Sequence, residues 1–99
     1  MVKHIVIFKL KDSLPDEEKR AIGLRFKAAI EALPATISVI RKVEVGLNMN
    51  PGETWHVALY SEFDTLDDVA FYASHPDHVA ASQILAGAKE SRACADYEV

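Results

Sequence analysis

Ninety-nine residues, 49% of them hydrophobic and 26% charged, make one globular domain, residues 1–99, that exposes roughly 5,600 Å² and buries about 65% of its extended-chain surface, enough for a core without disulfides or a structural metal. A formal charge of −4 with no run of Lys or Arg argues against nucleic acid, which needs a basic patch to displace counterions. No apolar segment approaches the roughly 20 residues that span a bilayer, so no membrane partner is expected.

The chain opens in a strand-like run at residues 2–10 (VKHIVIFKL), without signal-peptide architecture. Alternation puts His4, Val6, Phe8 and Leu10 on one face and Ile5, Ile7 and Lys9 on the other, the mark of an interior strand. Ser13 is a cap candidate for a helix that has Pro15 in its first turn and acidic residues at its start. Ile22, Phe26, Ala29, Ile30 and Leu33 give that helix one apolar stripe, and Pro34 stops it. Residues 36–47 read as a second strand whose face is polar after Ile40, which suits a sheet edge. A loop through Pro51-Gly52 leads to a third strand at 55–63. Thr65 caps a second helix ending near Ala73, a third helix runs from Asp77 to about Ala88, and residues 91–99 alternate as a final strand. Cys94, the lone cysteine, reads as a small buried filler of that strand rather than a nucleophile. With no internal disulfide available, a reducing cytoplasm is the simplest location.

His4-Ile5-Val6-Ile7-Phe8 echoes His56-Val57-Ala58-Leu59-Tyr60. Two such halves predict an α+β ferredoxin-like domain with the first and third strands adjacent and parallel at the centre of the sheet. On that arrangement His4 and His56 share one end of the sheet. The helices cover only one sheet face, so the other, carrying Ile5 and Ile7, predicts a homodimer joined face to face.

The stretch Tyr72-Ala73-Ser74-His75-Pro76-Asp77-His78-Val79 carries the candidate chemistry. Proline disfavours helical geometry in the residue before it, so His75 is expected extended, tying the turn to the sheet, and Pro76 opens the next helix. The corner can aim Tyr72 and His78 at one point. His78 titrates in the range of a general base at neutral pH, and the Tyr72 hydroxyl can donate to a developing oxyanion. The alternative is a His78 that only fixes the angle between two helices. His4 and His56 are candidate pocket-lining residues. No metal site is expected: Pro76 takes His75 out of the helix that holds His78, and no cysteine pair or carboxylate cluster completes a ligand set. Four glycines without a phosphate-loop pattern argue against nucleotides.

Val2-Lys3-His4-Ile5-Val6, Gly46-Leu47-Asn48, Ser61-Glu62-Phe63-Asp64, Tyr72-x-x-His75-Pro76-x-His78-Val79 and Asp96-Tyr97 together resemble the stress-responsive α/β-barrel domain family, Dabb, over nearly the whole chain. The resemblance implies a homodimeric α+β barrel built from two four-stranded sheets. A plant polyketide cyclase that makes olivetolic acid is similar in its Tyr-x-x-His-Pro-x-His pattern, which implies cofactor-free aldol chemistry with His78 and Tyr72 as the catalytic pair and His4 and His56 in the pocket. Many members have the same corner, and fold alone assigns no activity. Three expectations stand side by side: a cofactor-free enzyme of cyclase or lyase type acting on a small carbonyl or polyketide-like compound, a non-catalytic pocket for a small apolar ligand, and a stress-accumulated structural protein.

Overall fold

The computed structural model describes residues 1–99. Strand β1 (Val2–Leu10) leads through helix α1 (Asp16–Glu31) and a 3₁₀ turn (Leu33–Ala35) to β2 (Lys42–Leu47) and β3 (Val57–Phe63). Helices α2 (Leu66–Ser74) and α3 (Pro76–Ala86) precede the last strand, β4 (Lys89–Glu98). The exposed area is 5840 Å², close to the value expected for this mass.

The four strands form one sheet in the order β2-β3-β1-β4, and every neighbouring pair is antiparallel. This is the ferredoxin-like architecture, with one correction: β1 and β3 are adjacent but not parallel. The α1 crossover returns β2 parallel to β1 and leaves one strand-width between them. β3 turns back from β2 to fill that gap and must run against both. Val2 therefore pairs with Phe63 and Phe8 with Val57.

β1 alternates buried and half-buried residues without a break, as its two apolar faces require. Its helix side carries His4, Val6, Phe8 and Leu10, and α1 packs Phe26 edge-on against Phe8 at 5.4 Å. α1 begins after Pro15, which has extended dihedrals, and no side chain caps it, so Ser13 does not have the expected role. Asp16, Glu17 and Glu18 meet the positive end of the helix dipole instead.

The second strand is shorter than its apolar run. Ile37 N–H donates to Leu33 O and Ile40 N–H to Ile37 O, so the stretch before Arg41 satisfies its backbone in turns while Ile37 and Ile40 enter the core. β2 is an edge, as its polar face predicts. Its outward Val45 amide donates to Glu31 Oε2 at 2.9 Å and its carbonyl accepts from Lys27 Nζ at 2.5 Å; α1 thus blocks part of the edge from pairing with another strand.

Thr65 caps α2 as predicted, its Oγ1 accepting the Asp68 N–H at 3.1 Å. Thr65→Ala is expected to cost about 1 kcal/mol in urea unfolding, whereas Thr65→Ser should retain most of that stability.

α1 lies on β2 and α3, and α2 lies against β3. β4 is exposed along nearly its whole length. That uncovered strand corrects the reading of Cys94, which is exposed rather than buried.

Candidate functional site

The site begins at the proline corner. His75 is extended (φ −63°, ψ 136°), α2 ends before it, and Pro76 opens α3. The His75 ring turns back on the new helix: Nδ1 accepts the Asp77 N–H at 3.0 Å, and Phe71 meets the ring edge-on at 6.0 Å. It caps α3 rather than tying the turn to the sheet.

The corner brings Tyr72 and His78 together, with ring centroids 4.4 Å apart. Tyr72 is 1% exposed and also packs on Phe63 at 5.1 Å and His4 at 6.1 Å. Its hydroxyl is the one buried side-chain polar atom without a hydrogen-bond partner. Burial pushes its pKa up to about 12, so the hydroxyl is a donor at neutral pH.

His78 is half-buried, with Nδ1 2.9 Å from the Ala73 carbonyl. A carbonyl only accepts, so Nδ1 carries the hydrogen and Nε2 of the neutral ring keeps a free lone pair. Burial lowers the His78 pKa below the usual histidine value; the Ala73 carbonyl opposes this, while the nearby charges of His4 and Arg92 add to it. His78 is therefore neutral, with a basic nitrogen available, at neutral pH.

His4 reaches the cluster from β1. It is 7% exposed, and its Nδ1 lies 2.5 Å from Asp96 Oδ1 across the β1–β4 ladder. Ser61 Oγ donates to the His4 carbonyl at 3.1 Å. A carboxylate on one ring nitrogen fixes the tautomer and orientation of a histidine. Asp96 is thus part of the constellation. Its role was hidden in the sequence because its partner lies at the other end of the chain.

His56 does not join. Antiparallel pairing carries it to the opposite end of the sheet, where Nδ1 accepts the Leu10 N–H at 2.9 Å. It borders a separate crevice of about 170 Å³ with Asp16, Lys19, Arg20 and Asn48. The expected cavity under Pro76 is not preformed either. None of the surface depressions is lined by Tyr72, His78 or His4, because the Tyr72 ring fills the space between helices and sheet. The larger hollows, about 400 and 440 Å³, lie around Ile7 and Trp55 and around Ile5 and Tyr60.

Burial lowers the pKa of His56 as it does that of His78. Above the unfolded value near 6.5 both states are neutral and no stability is lost. As pH falls through 6.5 toward the lowered folded values, the unfolded chain takes up protons first and stability declines. Urea midpoints should therefore fall between pH 7 and 5, and His56→Gln with His78→Gln should flatten that dependence.

The constellation can be set beside known proteins. The model of the Stress responsive A/B Barrel Domain matches residues 2–99. The chain belongs to the Dabb family. No curated protein matches it. A dimeric protein of unknown function and ferredoxin-like fold from Bacteroides fragilis NCTC 9343 is 73% identical, with 99% of this chain and 95% of that chain covered and a TM-score of 0.98. A dimeric ferredoxin-like protein of unknown function from Thermobifida fusca is similar at 24% identity (99% and 90% covered, TM-score 0.78). The hydroxynitrile lyase of Passiflora edulis shares the Dabb chain's fold at 19% identity (97% and 90% covered, TM-score 0.73). No helix is long and apolar enough to cross a membrane.

Proposed function

We propose that this Dabb protein is a cytoplasmic homodimer whose Tyr72–His78–His4–Asp96 constellation performs acid–base chemistry on a small carbonyl or polyketide-like compound without an organic cofactor. The observation that carries the proposal is the Tyr72 hydroxyl, desolvated, protonated and unpartnered, on a ring that packs against two imidazoles. A buried hydroxyl without a partner costs about 1–3 kcal/mol, and a carbonyl oxygen arriving beside it supplies the missing acceptor. Tyr72 then stabilises the oxyanion, His78 Nε2 removes the proton next to the carbonyl, and His4, held by Asp96, is the second polar wall. Substrate enters from the uncovered β4 flank, and Tyr72 must shift to admit it.

Homodimerisation is inferred from the open sheet face. Ile5, Ile7, Ala58, Ala93 and Ala95 form its apolar part, and a second copy would cover it as the faces of sandwich sheets cover each other. The dimeric relatives support this reading.

A second reading draws on the absence of a preformed cavity: His78 and Tyr72 simply pack the corner, and the protein is a non-catalytic ligand-binding or stress-accumulated structural protein. The test is deuterium incorporation next to the carbonyl of short- and medium-chain 3-oxo esters in heavy water, followed by proton NMR. Acid–base chemistry predicts incorporation well above buffer, decreasing as pH falls through the His78 pKa. Rates equal to buffer across the series would favour the structural reading.

A further inference from the structure

Three donor atoms of different chemistry converge on the β1–β4 ladder. Cross-strand pairing sets His4 opposite Asp96 and Val6 opposite Cys94, so the three side chains share the helix side of the sheet. His4 Nδ1 lies 2.5 Å from Asp96 Oδ1 and 3.6 Å from Cys94 Sγ, and the three ligating atoms lie within 4.8 Å of one another. Both contacts fall on the same ring nitrogen. A Cys–His–Asp relay needs thiol and carboxylate on opposite ring nitrogens, so these residues do not form one. Nitrogen, sulfur and oxygen instead face a common point.

We propose that His4, Cys94 and Asp96 form a binding site for a divalent cation of the zinc class. A tetrahedral zinc with ordinary bond lengths holds its nitrogen and sulfur ligands about 3.5 Å apart, and Nδ1 and Sγ already have that spacing. Nitrogen and carboxylate oxygen would stand about 3.3 Å apart, so Asp96 must draw back by less than an ångström's order, about 0.8 Å. It sits on an exposed edge strand, with its side chain partly open to solvent. The charges match as well: one thiolate, one carboxylate and a neutral imidazole balance a dication. On binding, the ring hydrogen shared with Asp96 is carried on Nε2, Nδ1 gives its lone pair to the metal, and the Cys94 proton is released to water.

Cys94 and Asp96 are both exposed, so a fourth position stays open to solvent, as in reactive rather than structural zinc sites. An unsatisfied polar group lies in the same neighbourhood. The Tyr72 hydroxyl, buried and unpartnered, belongs to a ring that meets the ligand His4 at 6.1 Å. A water held on a metal at His4 is one kind of partner that hydroxyl lacks. Arg92 is exposed, and its guanidinium can withdraw into solvent when a cation arrives. The site shares His4, Asp96 and Tyr72 with the acid–base reading, but metal binding is measured without turnover, so either can fail alone.

The test is a Co²⁺ titration of the reduced full chain, followed by absorption. One equivalent should give a thiolate-to-cobalt charge-transfer band in the near ultraviolet with the visible bands of four-coordinate cobalt, and Zn²⁺ should abolish both. Cys94→Ser should remove the charge-transfer band, and Asp96→Asn should weaken affinity about 10–100-fold. His56→Gln, at the far end of the sheet, should leave the spectrum unchanged. Circular dichroism of each variant separates lost ligation from lost folding. No charge-transfer band at metal excess, or one that survives in Cys94→Ser or is lost in His56→Gln, would overturn the proposal.

Discussion

Tyr72→Phe is expected to fold more stably than the wild type and to lose the proposed proton-transfer activity. The hydroxyl is buried with no partner, so deleting it removes a desolvation penalty of about 1–3 kcal/mol while the ring retains its contacts with Phe63, His4 and His78. The same deletion removes the proposed oxyanion donor, a loss of about 10²–10³ in rate. His78→Ala should lose about 10²–10⁴, or about 3–5 kcal/mol of barrier lowering. It should also destabilise the corner, because the Ala73 carbonyl loses its donor. Thermal melts and deuterium exchange on both variants check the pair. A Tyr72→Phe protein that is less stable and equally active would show the hydroxyl to be structural.

Ile7→Glu is expected to split the proposed homodimer. Ile7 sits on the open sheet face opposite the helices, half-buried even in a single copy. A two-fold interface repeats each substitution, so two carboxylates would enter an apolar contact together. At several kcal/mol per buried unpaired ion, the dissociation constant should rise about 10⁴-fold or more. Sedimentation velocity at micromolar concentration should show a dimer for the wild type and a monomer for the variant. A wild-type monomer at that concentration would contradict the assembly.

The elements legible in the sequence were those with a local cause. Pro76 dictates an extended His75 and a new helix start; Thr65 supplies a cap; the double-faced alternation of β1 makes it an interior strand. What remained hidden depended on direction and on partners distant in sequence. Residues 36–40 have strand composition but satisfy their amides in turns, because Ile37 and Ile40 must both reach the core. The polarity of β3 follows from the crossover geometry, not from any residue within it, and it alone decides that His4 and His56 stand at opposite ends. Cys94 has the composition of a filler, yet it lies on a strand that no helix covers. Asp96 looks like an ordinary edge carboxylate until the ladder sets it opposite His4, 92 positions away.

The most direct test of the proposed site is to label tyrosine and histidine ring carbons with ¹³C and titrate the protein with a medium-chain 3-oxo ester, following Tyr72 and His78. If the unpartnered hydroxyl awaits a carbonyl oxygen, the Tyr72 Cζ and His78 Cε1 signals should shift together and saturate, while His56 stays fixed. Signals of Tyr72 and His78 that remain unmoved up to the solubility limit across the ester series would contradict a carbonyl-binding site at this corner.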